Sequence, residues 1–192
     1  MINVFQPSLG REELDAVGAV FSSNWLGKGQ SVKDFTEAFA ASLSTPPERF
    51  LTTTCCTEGL FLAGDLFGFG PGDEVIAPAV SFIAVGNSIL SRGATLVLCD
   101  VDPRTLNATA EHIATRITSR TKAVFLNHYG GVPCDMDPIL ELCATRGIKV
   151  IEDSACAVRS FYKGRAAGTL GDMGTWSFDA MKTLCAGDGG ML

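Results

Sequence analysis

Three short stretches of this chain carry residue types suited to chemistry. The first is Thr54-Cys55-Cys56-Thr57, small and hydroxylic residues standing where a helix should begin. The free N–H groups of a helix start bind anions, although threonine there is more often a simple cap. The second is Asp153, within Val150-Ile151-Glu152-Asp153-Ser154-Ala155. An acidic pair at a strand end is costly to half-bury unless it caps a helix or meets a cation, a metal or a protonated heterocycle. The third is Lys182, set among Ala180, Met181, Leu184, Cys185 and Ala186. An amine that loses solvation in such company becomes a nucleophile toward carbonyls, whereas on an open surface it is only a solvated charge.

The hydrophobic rhythm says which elements would position them. Leu14, Val17, Val20 and Phe21 recur at helical spacing after Gly10, and Val32, Phe35, Phe39 and Leu43 do so after Trp25-Leu26-Gly27-Lys28-Gly29. From residue 49 short apolar runs alternate with amphipathic ones. Strands are expected near 50–53, 74–77, 95–100, 123–127, 149–152 and 174–178, with helices over 57–67, 82–91, 107–118 and 136–146. Ala110, Ile113, Ala114 and Ile117 share one face of the third of these helices, with Asn107 as its cap. Such alternation implies an α/β fold, a mostly parallel sheet covered by helices on both faces. Ligands bind such sheets at the carboxyl ends of the strands, and each of the three stretches follows a strand. Anion cradle, carboxylate and lysine are together the set that pyridoxal phosphate needs: a helix start for the phosphate, an Asp for the pyridinium nitrogen, a Lys for the Schiff base.

Composition narrows the field. The chain has 192 residues, 46% hydrophobic and 19% charged, enough for one domain with a core that needs no disulfide or metal. A net charge of −6 argues against a nucleic-acid or anionic-membrane partner. No apolar run approaches the ~18 residues of a membrane span. The start, Met1-Ile2-Asn3-Val4-Phe5-Gln6, lacks the layout of a signal peptide. Seven cysteines, an odd number without a CxxC pair, speak for reduced thiols in a cytoplasmic protein rather than a disulfide framework or a zinc site. The sequon Asn107-Ala108-Thr109 is then without consequence. A dinucleotide site is excluded because Gly68-Phe69-Gly70-Pro71-Gly72 precedes a strand instead of joining a strand to a helix.

The order of motifs resembles the DegT/DnrJ/EryC1/StrS family of sugar aminotransferases, fold-type-I pyridoxal-phosphate enzymes. The matching segments are Trp25-Leu26-Gly27-Lys28-Gly29, Gly70-Pro71-Gly72-Asp73-Glu74-Val75-Ile76, His128-Tyr129-Gly130-Gly131, Ile151-Glu152-Asp153-Ser154-Ala155, and Tyr162-Lys163-Gly164-Arg165 with Gly168. Ser177-Phe178 through Lys182 to Gly189-Gly190 completes the series. The resemblance implies a three-layer α/β/α large domain over residues 49–192, preceded by a helical segment over 1–48. It makes Lys182 the catalytic residue, which holds the cofactor and shuttles the proton. Asp153 keeps the ring nitrogen protonated, Phe82 stacks on the ring, and Cys56, Thr57 and Ser177 hold the phosphate. Cys156 stands near the phenolic oxygen. The implied substrates are a nucleotide-linked keto-sugar, aminated at its 4-keto group, and an amino-acid donor, glutamate or glutamine, acted on by a homodimer.

Several positions depart from that pattern. Cys55 replaces a usual Ser. Cys56 replaces the commonest Gly and threatens to crowd the phosphate loop. Cys156 stands for Gln or His, and Asp179 for His. His128 and Tyr129 are open between facing the sugar and packing, as Trp25 and Lys28 are between substrate, neighbouring chain and an ordinary surface role. The ending, Ala186-Gly187-Asp188-Gly189-Gly190-Met191-Leu192, reads as a strand cut short, so the family's carboxyl-terminal small domain is expected to be absent. The alternatives are an impaired large-domain fragment that acts only as a cofactor-binding or companion subunit, and a dehydratase of the same fold. The dehydratase replaces the lysine with histidine, which Lys182 argues against.

Overall fold

A computed structural model describes residues 6–192; residues 1–5, on which the signal-peptide expectation falls, lie outside them. Five parallel strands form the centre: β2 (Glu74–Pro78), β3 (Thr95–Cys99), β4 (Thr121–Asn127), β5 (Lys149–Asp153) and β8 (Met173–Ser177). A two-residue strand β9 (Gly190–Met191) runs antiparallel between β8 and β1 (Thr52–Thr53). The sheet order is β1-β9-β8-β5-β4-β2-β3. A separate hairpin, β6 (Phe161–Tyr162) and β7 (Arg165–Ala166), was not foreseen from the apolar pattern because each strand has only two residues.

The central strands are apolar on both sides, as a sheet covered twice must be. Val75, Ala77, Ala123, Phe125 and Ile151 turn to one face, where α3 (Cys56–Leu66) and α4 (Ile83–Leu90) cover them with Leu60, Ala63, Val85 and Ile89. Ile76, Val124, Leu126 and Val150 turn to the other, against Ile113 of α5 (Ala110–Ala114) and Met136, Ile139 and Cys143 of α6 (Met136–Ala144). The expected helix over 107–118 is therefore a single short turn. Its cap is Thr109, which accepts from His112 N at 3.3 Å, and not Asn107. Asn107 is buried instead and ties two loops, donating to Val132 O at 2.9 Å and accepting from Tyr129 N at 2.9 Å.

The two leading helices differ. α2 (Gln30–Ser42) presses Phe35 and Phe39 onto Trp176 and Phe178, with Phe50 completing an edge-to-face aromatic group. α1 (Arg11–Ser22) buries none of its residues, and Leu14, Val17 and Phe21 face solvent, as do Trp25 and Leu26 beyond it. No helix among the described residues is long and apolar enough to cross a membrane.

Candidate active site

The carboxyl ends of β5 and β8 and the start of α3 meet at one corner of the sheet. Asp153, the last residue of β5, stands in register with Thr175 of β8. Thr175 Oγ1 in turn lies 3.3 Å from Cys56 Sγ, in the first turn of α3. α3 comes this near to β8 because residue 59 is glycine: a Cβ there would stand 2.8 Å from Thr175 Cγ2. Gly190 does the same for the strand beside it. A Cβ at 190 would lie 2.5 Å from Thr53 Oγ1 and 2.6 Å from Cys56 N, so β9 packs its bare backbone against the helix start. Gly190 is also in register with Ser177, which brings that buried hydroxyl to the same corner.

No side chain caps α3, so the N–H groups at Cys56 and Thr57 stay available to an anion. Glu58 turns away from them, accepting from Thr54 N at 2.7 Å and Thr54 Oγ1 at 2.8 Å. The expected crowding by Cys56 does not occur. Its thiol is buried toward Thr175, and burial with Asp153 nearby pushes it up to about 12, an inert group whose contribution to the site is its backbone.

Two adjacent carboxylates point opposite ways. Glu152, wholly buried, accepts from His128 Nε2 at 2.8 Å, Gly168 N at 2.8 Å, Leu170 N at 2.7 Å and Gly171 N at 2.6 Å. His128 Nδ1 accepts from Cys134 N at 3.1 Å, which assigns the ring proton to Nε2. His128 is thus a buried strut closed off from solvent, whereas Tyr129 is exposed. Asp153 has the opposite surroundings. It is 3% exposed and accepts from Ala155 N at 3.0 Å, and burial raises its carboxyl above the usual range. The Ala155 N–H and the charge of Lys182 pull it part of the way back.

Lys182 reaches this corner from the loop joining β8 to β9. Hydrogen bonds from Phe178 N to Gly189 O at 2.9 Å and Ala180 N to Gly187 O at 3.1 Å fold that loop back over the strand ends. The amine is half-buried, not enclosed as an apolar neighbourhood suggested, because Met181 and Leu184 turn outward. Lys182 Nζ contacts Cys156 Sγ at 3.5 Å, and its charge is felt by both Asp153 and Cys56. Phe82 caps α4 after β2, on the same edge, with its ring 64% exposed. Asp179 accepts from Met181 N at 2.9 Å and so shapes the lysine's turn. Thr175 escaped the reading of the sequence, and Gly190 entered it only as the end of a motif. Alternation from Ser177 could have flagged Thr175, whereas nothing local marks Gly190 as a point of close approach. A recess lined by Arg49, Gly168, Asp172 and Leu192 lies at the opposite, amino-terminal edge and contains none of these groups.

Residues 7–192 match the model of the DegT/DnrJ/EryC1/StrS aminotransferase family. The dTDP-4-dehydro-2,3,6-trideoxy-D-glucose 4-aminotransferase of Saccharopolyspora spinosa is 52% identical over 191 residues, 100% of this chain and 50% of that relative. The crystal structure of the aminotransferase TlmJ from Streptoalloteichus hindustanus superposes with a TM-score of 0.97 at 57% identity, over 100% of this chain and 52% of that one. A Streptococcus pneumoniae protein described as a sugar aminotransferase, solved in a PLP form, superposes with a TM-score of 0.92 at 27% identity, over 99% of this chain and 52% of that one. The chain therefore spans about half the length of the relatives it matches. The family's cofactor is pyridoxal 5′-phosphate. The donor set fits it: uncapped N–H groups and a hydroxyl for the phosphate, a desolvated carboxylate for a protonated ring nitrogen, and an amine for the aldehyde.

Proposed function

The chain belongs to the DegT/DnrJ/EryC1/StrS aminotransferase family, and on that premise we propose that it carries the cofactor-binding part of an enzyme that aminates a nucleotide-linked keto-sugar. The amino donor is an amino acid, glutamate or glutamine, and the sugar accepts nitrogen at a 4-keto carbon. The 4-aminotransferase among its relatives, acting on a dTDP-linked sugar, supports that position. The observation that carries the reading is the convergence of three groups: Asp153 in register with Thr175, Thr175 Oγ1 3.3 Å from Cys56 Sγ at the α3 start, and Lys182 Nζ 3.5 Å from Cys156 Sγ just after β5.

Bound pyridoxal phosphate supplies an electron sink for the carbon whose nitrogen is exchanged. The chain's own residues do the rest. The N–H groups at Cys56 and Thr57, with the hydroxyls of Thr57 and Ser177, hold the phosphate dianion at the positive end of α3. Asp153 keeps a proton on the ring nitrogen, and its lack of other strong donors leaves the carboxylate free for that bond. Phe82 presents an open aromatic face to the ring. Lys182 Nζ anchors the cofactor and then takes and returns the proton at the reacting carbon, a role worth roughly 10²–10⁴ in rate.

Absorbance under added pyridoxal phosphate, before and after borohydride, tests this. The chain should develop a near-visible band and retain cofactor fixed on Lys182. Lys182→Ala should lose both, while Lys122→Ala, which removes a surface amine bonded to Gly68 O and Asp73, should keep both. No band under saturating cofactor would overturn the assignment.

A further inference from the structure

We propose that Cys156 and Lys182 form a thiol-reversible sulfur–nitrogen cross-link under peroxide, a modification site that shuts the corner while no cofactor occupies it. The two nucleophilic atoms already touch, Nζ to Sγ at 3.5 Å, although they come from separate loops after β5 and β8. Cys156 is also the one exposed cysteine of the seven. Cys56, Cys99, Cys134 and Cys143 are buried, and burial pushes their thiols up to about 12, 11, 12 and 11, which makes them poor targets for oxidants. Cys55 and Cys185 are half-buried, and no disulfide joins any of the seven.

The chemistry balances with hydrogen peroxide as the only oxidant. In Cys–SH + H₂O₂ → Cys–SOH + H₂O, the O–O bond breaks and an S–O bond forms. A sulfenic acid condenses with a nearby thiol, or with a nearby nitrogen to give a sulfenamide. Here that nitrogen is Lys182 Nζ, held in contact and so at high effective concentration. The Lys182 ammonium first gives one proton to solvent; in Cys–SOH + H₂N–Lys → Cys–S–NH–Lys + H₂O, the freed nitrogen lone pair then attacks sulfur, the S–O bond breaks, and the hydroxyl leaves as water with one amine proton. An added thiol attacks the sulfur, releases the amine and leaves a mixed disulfide, which a second thiol reduces. Neither step requires the cofactor. Only the protection described next rests on the proposed function, since an amine committed to pyridoxal phosphate cannot attack the sulfur.

The test treats the cofactor-free chain with dilute peroxide, blocks remaining thiols with N-ethylmaleimide, and maps proteolytic fragments by mass. The expected product is the Cys156 peptide joined to the Lys182 peptide, lighter than their sum by two hydrogens. Dithiothreitol should remove it, and C156S should not form it. Borohydride-fixed cofactor should fall with cross-linking and return after reduction. Should C156S fold poorly, the mapping of the unaltered chain decides alone. Recovery of Cys156 as sulfinic acid, or in a disulfide with another cysteine, with Lys182 free, would overturn the proposal. A cross-link that forms equally with and without pyridoxal phosphate upholds it while counting against Lys182 as the cofactor's anchor.

Discussion

Glu152 and Asp153 are neighbours on β5, yet their carboxylates live in different worlds. Strand alternation sends Glu152 into the loop 168–171, where three N–H groups and His128 satisfy it. The same alternation sends Asp153 to the face shared with Thr175 and α3, where burial is as deep but the Ala155 N–H is the donor that supports it. A buried carboxylate with its lone pairs filled holds loops together. One left short of donors is unfavourable as an anion until a cationic ligand arrives. Equal burial with unequal hydrogen bonding separates the strut from the binding group.

The sharpest way to break this contrast is Glu152→Ala. It strands four donors in the interior at about 1–3 kcal/mol each, so a loss of at least about 4 kcal/mol is expected, read as a collapse of the urea midpoint. A midpoint near that of the unaltered chain would mean that Glu152 is no strut. Asp153→Asn should instead spare folding and weaken pyridoxal phosphate about 10-fold in an absorbance titration, because a charge-assisted hydrogen bond worth about 1.5–3 kcal/mol becomes a neutral one worth about 0.5–1.5 kcal/mol. Equal binding would remove Asp153 from the site.

Gly190→Ala sharpens the comparison from the anion side. Its new Cβ would meet backbone atoms of Cys55 and Cys56, which cannot swing away. Overpacking of this kind costs about 1–3 kcal/mol, and the displaced helix start should bind phosphate less tightly. Unaltered thermal midpoint and cofactor affinity would show that the helix start has slack there. The smallest effect is a pH dependence. The folded-state value of Asp153 is raised, so the native state holds this proton more tightly than the unfolded chain does. Stability supplied by that proton is present below the unfolded value, about 3.9, and is lost as pH rises toward the folded value. D153N lacks this loss. The stability difference between the two proteins should therefore grow in its favour from acid toward neutral pH, and a difference flat with pH would contradict the raised value.

Much of this architecture was legible in order and kind. The central strands and the helices over 57–67, 82–91 and 136–146 have bounds close to those expected, since long apolar runs and helical periodicity are local properties of the chain. The helix over 107–118 misled because Asn107 looks like a cap in isolation; its side chain was taken by Val132 O and Tyr129 N from a distant loop. Likewise nothing local separates His128, a buried strut, from a residue facing the sugar. Its partner Glu152 is 24 positions away.

By itself the sequence determined which residues stand at the ends of parallel strands, and therefore that Lys182, Asp153 and the Cys56–Thr57 turn would share an edge. Alternation and periodicity are written in neighbouring residues. Only the tertiary structure decided how near those groups come and what each is worth. Gly59 and Gly190 allow α3 to sit against β8 and β9, and the Cys56 thiol turns inward. The donors that quiet Glu152 leave Asp153 short. Contact distance and desolvation depend on every chain segment that crosses a point, and no stretch of sequence contains them alone.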